Sequence, residues 1–241
     1  MNQNFLKNID AVVLCGGLGT RLQGILPGRQ KVVMKVGSQP FLGTLLDRIF
    51  SQGVGRAVLC VGHLKEQVID YILHKKIKHS EWGEIVFSEE EKPLGTGGAI
   101  KNAESKITSD HFFVMNGDSW IEGGIDLHKL HDFHKKKNTL ATVVLARPRK
   151  EKDYGAVFLK EDGKIGGFNE KANENRTHFM NAGVYLMEKK SFELMPEGPF
   201  SLENDFFPKL VGGAMYGFPV EGELIDIGTP ERYRLANKKY A

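Results

Sequence analysis

The chain has 241 residues, of which 41% are hydrophobic and 26% charged, as expected for a globular protein with a sizeable core. With 33 basic and 30 acidic side chains, its net charge of +3 is too balanced to indicate nucleic-acid or membrane binding. There are only two cysteines, no apolar run of ~18 residues that would span a bilayer, and no signal-peptide core at the start, so we expect a reduced, cytoplasmic protein.

Apolar, strand-like runs alternate with helical patterns in the first half of the chain. We predict strands at residues 11–14, 57–61, 85–87, 111–115 and 140–146. We predict helices at residues 41–52, 64–74, 97–107 and 127–137. Repeated strand–helix units of this kind favour a mostly parallel sheet that is covered by helices on both faces.

The pattern changes after residue 150. Short strands are predicted at 154–159, 165–169 and 179–186, followed by helices at 201–210 and 231–239. The short strands indicate an antiparallel extension that carries the rest of the site. Because no repeat, low-complexity linker or break in composition divides the chain, we expect one domain over residues 1–241.

A glycine-rich loop, residues 15–22, follows the first predicted strand and ends in Arg21-Leu22, with Lys31 nine residues beyond. Backbone N–H groups in such a loop can cradle phosphates, and the two cations can neutralise them. The loop is not a Walker A motif, because no Gly-Lys-Ser/Thr closes it, and no third glycine completes a dinucleotide fingerprint. It therefore predicts a nucleoside triphosphate site of another kind.

Two isolated acids follow later strands. Asp118 comes after the strand at 111–115, at the carboxyl end where open α/β sheets bind ligands, although Asn116-Gly117-Asp118 is also a common turn sequence. Asp226 stands between Ile225 and Ile227. Burying it unpaired would be costly, so it needs a cation or hydrogen-bond donors unless it faces solvent. A Mg²⁺ ion shared by the two carboxylates would satisfy both acids.

Two further segments carry weaker signals. In residues 166–171, Glu170 can accept hydrogen bonds from sugar hydroxyls and Lys171 can meet a phosphate, although such a pair is more often solvated surface. In residues 89–98, three glycines before a helix allow close approach to a flat base, whereas the three glutamates there can equally be a solvated charge run.

Taken in order, these segments resemble the sugar-1-phosphate nucleotidylyltransferases. The chain is most similar to the bacterial D-glycero-α-D-manno-heptose 1-phosphate guanylyltransferases within that family. The shared motifs extend over nearly the whole chain, at residues 16–22, 31, 94–99, 116–118, 168–171, 181–185 and 226–228.

The resemblance implies an α/β fold, the Rossmann-like, three-layer αβα nucleotidyltransferase fold, which is glycosyltransferase-A-like. Its central sheet is mixed and mostly parallel, with a small antiparallel extension. The implied reaction joins a nucleoside monophosphate from a nucleoside triphosphate, GTP by resemblance, to a sugar 1-phosphate, a heptose 1-phosphate by resemblance. The sugar phosphate attacks the α-phosphorus in line and pyrophosphate leaves, with Mg²⁺ as cofactor.

The resemblance also implies a role for each matching residue. Catalysis would use Arg21, Lys31, Asp118, Lys171 and Asp226. The nucleotide would contact Leu14, Gly16, Gly17, Gly19, Thr20, Arg21, Glu91, Gly95, Thr96 and Gly117. The sugar phosphate would contact Asp118, Gly155, Glu170, Lys171 and Asn181, and the metal would be held by Asp118 and Asp226.

The chain departs from the family at Gln30, which stands where the family has proline before Lys31. Since proline fixes φ, we expect either a looser position for Lys31 or a share of its role for Lys35. The same chemistry with mannose 1-phosphate, or with UTP or CTP, stays open, as does a homodimer. A non-catalytic protein that binds nucleotide-sugars is the alternative of another class, and the retained aspartates and lysines argue against it.

Overall fold

The computed structural model describes residues 5–25, 27–76, 81–147, 156–168 and 178–241. The strands are β1 Asp10–Leu14, β2 Lys35–Val36, β3 Gln39–Pro40, β4 Arg56–Val61, β5 Glu84–Glu89, β6 His111–Asn116, β7 Ser119–Ile121, β8 Ala141–Ala146, β9 Ala156–Leu159, β10 Ile165–Phe168, β11 His178–Glu188, β12 Met215–Pro219 and β13 Leu224–Asp226. The α-helices are α1 Phe41–Phe50, α2 Lys65–Lys76, α3 Gly95–Asn102, α4 Leu127–Lys137, α5 Phe207–Leu210 and α6 Pro230–Tyr240. Within these ranges no helix has the length and apolar character needed to cross a bilayer.

A nine-stranded mixed sheet forms the centre of the molecule, in the order β10-β9-β11-β6-β1-β4-β5, with β8 joining β11 to β12. β6, β1, β4 and β5 are parallel, so their carboxyl ends meet at one edge of the sheet. β11 runs antiparallel to β6, β8 and β9. The mostly parallel sheet with an antiparallel extension is therefore confirmed.

Each face of the sheet is covered by its own apolar core. Val13 of β1 packs on one side with α1, α2 and α4, whereas its neighbour Val12 packs on the other side with α3 and α5. Because β1 is buried on both faces, its residues 11–14 form a continuous apolar run rather than an alternating one. A third cluster joins Trp120 of β7, Ile225 of β13 and Ala236 of α6, and it supports the small β7–β13 sheet.

The observed elements differ from the predicted ones mainly where segments are short. The two- and three-residue strands β2, β3 and β7 are too brief to show a period, and β12 contains Gly217 and Pro219, which argue against a strand. The helix predicted at 97–107 ends at Asn102 and continues as a 3₁₀ turn, and the one at 201–210 begins as a π-helical turn. Predicted strand positions 154, 155 and 169 lie outside the described residues.

A buried acid ties three elements together at the start of β1. Asp10 is 2% exposed, and its carboxylate accepts hydrogen bonds from the Arg56 guanidinium at 2.9 Å and from the backbone N–H groups of Thr108 and Ser109 at 2.6 and 3.0 Å. Burial raises the pKa of Asp10, but the Arg56 hydrogen bond and the backbone donors outweigh it. The net pKa therefore lies below its usual value.

We expect Asp10→Asn to lower the free energy of unfolding at pH 7 by about 2 kcal/mol, because it removes charge-assisted hydrogen bonds. A carboxyl with a depressed folded-state pKa stabilises the protein above its unfolded pKa of about 4, and this contribution is lost as the pH falls through the folded value. Urea titrations should therefore show that the free energies of unfolding of Asp10→Asn and of the unmodified protein converge as the pH falls below about 4. The matched control is Glu84→Gln, since Glu84 also pairs with Arg56 but is 62% exposed. An equal loss in both variants would contradict the expectation.

Candidate functional site

A cleft of about 360 Å³ lies at the carboxyl end of β1 and beside the segment that follows β5. The loop after β1, the start of α3 and the segment after β13 form its walls. Its lining residues are Leu14, Gly16, Gly17, Leu18, Gly19, Thr20, Arg21, Lys31, Glu90, Pro93, Gly95, Thr96, Ala99 and Gly228. Most of the residues predicted to bind the nucleotide therefore share one cavity.

The glycine loop leaves β1 and passes close to the segment after β5. A methyl group on the Gly16 Cα would lie 2.4 Å from Glu90 Oε1, so a larger residue here would displace the Glu90 carboxylate. The loop then forms a 3₁₀ turn, Thr20–Leu22, in which Leu22 is buried and Arg21 is exposed at the cleft. The burial of Leu22 in this way fixes the turn that presents Arg21.

Lys31 enters the cleft from the next 3₁₀ turn, Lys31–Val33, and its Nζ donates a short hydrogen bond to Asp118 Oδ2. Both side chains are largely shielded from solvent, at 16% and 22% exposure. Lys35 lies in β2, is exposed, and does not line the cleft. The lysine at the site is therefore Lys31.

Gln30 holds the Lys31 turn to the glycine loop. Its side chain is buried, and its Nε2 donates to the carbonyls of Cys15, Gly17 and His63 at 2.6, 3.2 and 3.2 Å. Its Oε1 accepts from the Val32 N–H at 3.1 Å and so caps the turn. The expectation of a looser lysine was based on the missing proline, whereas the structure fixes the same segment through a side chain.

Asp226 ends β13, and the pairing of β13 with β7 sets it opposite Ser119, next to Asp118 in the chain. Its Oδ1 accepts from the Gly228 N–H at 2.9 Å and lies 3.4 Å from Arg232 Nη1 of α6. At 10% exposure the carboxylate is nearly buried, so these donors supply the partners that burial demands.

Gly228 marks the point where the charged side chains converge. A methyl group on its Cα would lie 3.1 Å from Asp226 Oδ1, 3.7 Å from Arg21 Nη2 and 3.8 Å from Asp118 Oδ2. Side chains about one hundred and two hundred residues apart in the sequence therefore surround one small space. Since Lys31 is hydrogen-bonded to Asp118 and Arg232 pairs with Asp226, three cations and two carboxylates form a single cluster.

The acid on the glycine-loop side of the cleft is Glu90. It is half-buried, and its Oε2 accepts from the Leu94 N–H at 2.9 Å. Burial raises the pKa of its carboxyl above the usual value, although the Leu94 hydrogen bond opposes the shift. Glu91, which was predicted to contact the base, is exposed and lines a smaller neighbouring pocket together with Glu90 and His63.

A chain of hydrogen bonds crosses from β11 to α3. Asn181 Nδ2 donates to the Tyr185 hydroxyl at 2.9 Å, and that hydroxyl donates to Glu203 Oε1 at 3.0 Å. Glu203 Oε2 accepts from Thr96 Oγ1 at 2.7 Å. Burial, followed by the nearby Glu203 carboxylate, raises the pKa of Tyr185, so it remains a donor. Asn181 is thus linked to the cleft through Thr96 although it does not line it.

The structure does not bring every predicted residue to the cleft. Gly117 is buried behind it, where its N–H donates to the Leu14 carbonyl at 3.0 Å. Gly155, Glu170 and Lys171 lie outside the described residues.

Sequence reasoning missed several residues that form the site, namely Glu90, Glu203, Gly228 and Arg232. Arg232 had a signal, because an isolated buried acid at Asp226 requires a donor or cation nearby. Glu90 is the middle residue of three consecutive glutamates, and only the end of β5 shows which of them faces Gly16.

Comparison with known proteins finds relatives that align with more than nine-tenths of this chain. The chain is 32% identical over 233 residues to D-glycero-alpha-D-manno-heptose 1-phosphate guanylyltransferase of Aneurinibacillus thermoaerophilus, covering 96% of this chain and 98% of that protein. It is 33% identical over 236 residues to mannose-1-phosphate guanylyltransferase of Mycobacterium tuberculosis, covering 93% of this chain. The alignment spans 62% of the length of that mannose relative.

Among solved structures, HddC from Yersinia pseudotuberculosis matches with a TM-score of 0.80 and 33% identity, covering 97% of this chain and all of that one. The same protein has also been solved in complex with GMP-PN. These matches confirm the nucleotidyltransferase fold. A family model described as nucleotidyl transferase matches residues 10–241. The chain therefore belongs to the nucleotidyl transferase family.

Proposed function

We propose that this protein is a sugar-1-phosphate nucleotidylyltransferase that transfers GMP from GTP to a heptose 1-phosphate and releases pyrophosphate. The observation that carries the proposal is the convergence of Arg21, Asp118 and Asp226 around Gly228, with Lys31 bonded to Asp118. In-line transfer between two phosphates needs charge neutralisation and alignment more than a protein acid or base. A cluster of three cations and two carboxylates beside a glycine loop supplies both charge neutralisation and alignment.

Different residues of the cleft would bind the triphosphate, neutralise the leaving pyrophosphate and bridge the phosphates. Gly16, Gly17 and Gly19 line the cleft, and the backbone N–H groups of their loop would bind the triphosphate. Arg21, exposed on its turn, would neutralise the leaving pyrophosphate. Lys31 is held at the centre of the cluster, where it would bridge the phosphates as charge develops in the transition state.

The donor set at Asp118 and Asp226 fits Mg²⁺. Carboxylate oxygens from both residues lie within 4 Å of one point, the space that a Gly228 side chain would fill, and Mg²⁺ prefers such oxygen ligands. When bound, the ion would screen phosphate repulsion and orient the triphosphate. Arg232 would orient Asp226, and Lys31 would orient Asp118 before nucleotide binds.

The choice of guanine and heptose is supported by the relatives. The heptose 1-phosphate guanylyltransferase is 32% identical to this chain over 233 residues, and HddC, which is 33% identical, has been solved with GMP-PN. Asp118, Gly155, Glu170, Lys171 and Asn181 stay the proposed sugar-phosphate contacts. Leu14, Gly95, Thr96, Glu91 and Gly117 stay the proposed nucleotide contacts, together with the loop. One domain, a homodimer and a cytoplasmic location also stay predictions.

A substrate panel tests the proposal. Purified protein with Mg²⁺ would be given GTP, UTP, CTP or ATP, each with heptose 1-phosphate or mannose 1-phosphate, and pyrophosphate release would be followed. We expect the highest kcat/KM for GTP with the heptose. A preference for UTP or CTP would overturn the guanylyl assignment. Absence of turnover with every pair, alongside tight binding of a nucleotide-sugar, would instead indicate a binding protein.

A further inference from the structure

A second cluster of metal-binding side chains lies at the other end of the central strands. His111 is the first residue of β6, and Glu188, the last residue of β11, is its pairing partner across the ladder. His134 comes from the last turn of α4. Asp118 lies just beyond the carboxyl end of β6. The cluster is at the amino end of that strand, roughly 17 Å from its carboxyl end at about 3.3 Å per residue.

The geometry of this cluster suits a small metal ion. One ligand atom from each of His111, His134 and Glu188 lies within 4.8 Å of the others. His111 Nε2 and Glu188 Oε1 are 3.4 Å apart. Two ligands at about 2.1 Å from a tetrahedral Zn²⁺ are separated by this same distance, about 3.4 Å.

His134 supplies an independent observation. Its side chain is fully buried, and its Nδ1 lies 2.8 Å from Thr142 Oγ1. Its Nε2 is buried and has no hydrogen-bond partner among the described residues, which is costly for a polar atom. A histidine whose one ring nitrogen contacts an oxygen while the other is left open has the arrangement of a metal ligand.

Two lysines contact the cluster from outside the ligand set. Lys190 binds Glu188 Oε2 at 2.8 Å, which leaves Oε1 facing His111. Lys135 Nζ lies 3.5 Å from His111 Nε2, but it is exposed on a flexible stem and can turn to solvent.

We propose that His111, His134 and Glu188 bind one Zn²⁺ ion and that this ion fastens α4 to the ends of β6 and β11. Two imidazoles and one carboxylate favour Zn²⁺ over Mg²⁺, which takes oxygen ligands. The site is separate from the carboxylate pair at the cleft. Its role is structural, so zinc stabilises the fold without taking part in nucleotidyl transfer.

The test uses tag-free, chelator-treated full-length protein in excess Mg²⁺, so that the Asp118 and Asp226 carboxylates are already saturated. Zn²⁺ is titrated by calorimetry, and Co²⁺ is used as a spectroscopic probe of tetrahedral nitrogen and oxygen ligands in the unmodified protein. We expect one Zn²⁺ per chain, a Tm that rises with Zn²⁺ concentration, and unchanged Mg²⁺-dependent kcat.

His111→Gln and Glu188→Gln are the test variants, because both side chains are partly exposed and can be changed without opening the core. Each should weaken Zn²⁺ binding at least tenfold. His74→Gln, an exposed histidine on α2, is the matched control and should bind as the unmodified protein does. Equal Zn²⁺ affinity in all four proteins, or no tetrahedral Co²⁺ spectrum in the unmodified one, would overturn the proposal.

Discussion

Replacing Asp118 or Asp226 by asparagine is expected to lower kcat by roughly 10³-fold or more while the fold is retained. Asparagine preserves the size of the side chain and removes its charge. Both acids lie within 4 Å of the point marked by Gly228, where the phosphates and Mg²⁺ would meet, so each change removes half of the anionic ligand set. Pyrophosphate release with saturating substrates measures the effect.

Two further measurements separate metal binding from general damage. The Mg²⁺ concentration for half-maximal rate should rise in both variants, whereas Tm should change little, since neither side chain belongs to the apolar core. Asp162→Asn is the matched control, because Asp162 is an exposed turn residue, and it should behave normally. Near-normal turnover in both cleft variants would remove the metal-site argument.

Gln30→Ala is expected to lower the free energy of unfolding by about 3 kcal/mol and kcat by about tenfold or more. The change removes the donors to three backbone carbonyls and the cap on the Lys31 turn in a buried place. Each buried acceptor that loses its donor costs about 1–3 kcal/mol in stability, and water that enters the space reduces this cost. Because the same amide holds the glycine loop to Lys31, stability and catalysis should fall together.

Gln30→Pro distinguishes the role of the ring from that of the amide. Gln30 has φ −74°, so proline fits the backbone, but it loses both the side-chain bonds and the N–H that donates to Gln67 Oε1 at 2.9 Å. We expect the kcat of Gln30→Pro to lie between those of Gln30→Ala and the unmodified protein, because the ring still fixes φ at this position. Gln23→Ala is the control, since Gln23 is an exposed loop glutamine. If Gln30→Ala matched Gln23→Ala, Gln30 would have no positioning role.

The sequence predicts well the strands and helices whose buried residues follow a local hydrophobic pattern. Residues 11–14 of β1 are an uninterrupted apolar run, and α4 is predicted with its observed bounds because its apolar positions repeat at helical spacing. Short strands were missed because their pairing, not their composition, makes them. β13 is a three-residue example that sets the position of Asp226.

The residues of the site also differ in how far the sequence alone predicts them. Arg21, Lys31 and the glycine loop lie close together in sequence, so their joint function could be inferred from spacing. Gln30 and Arg232 could not be assigned in this manner, because their partners are contacts of the folded chain: a carbonyl cluster for the first, and an acid on a different element for the second. Residue type alone does not say which of several glutamines or arginines will be buried beside such groups.

The two oxygens of the Glu203 carboxylate connect β11 to α3. One is bonded to Tyr185, and through it to Asn181, while the other is bonded to Thr96 at the first turn of α3. A rearrangement at Asn181 therefore cannot occur without disturbing a bond at Thr96, and the reverse holds. If Asn181 contacts the sugar phosphate and Thr96 the nucleotide, as proposed, then one substrate that orders these hydrogen bonds would favour binding of the other. By thermodynamic linkage the two substrates would change each other's affinity by the same factor.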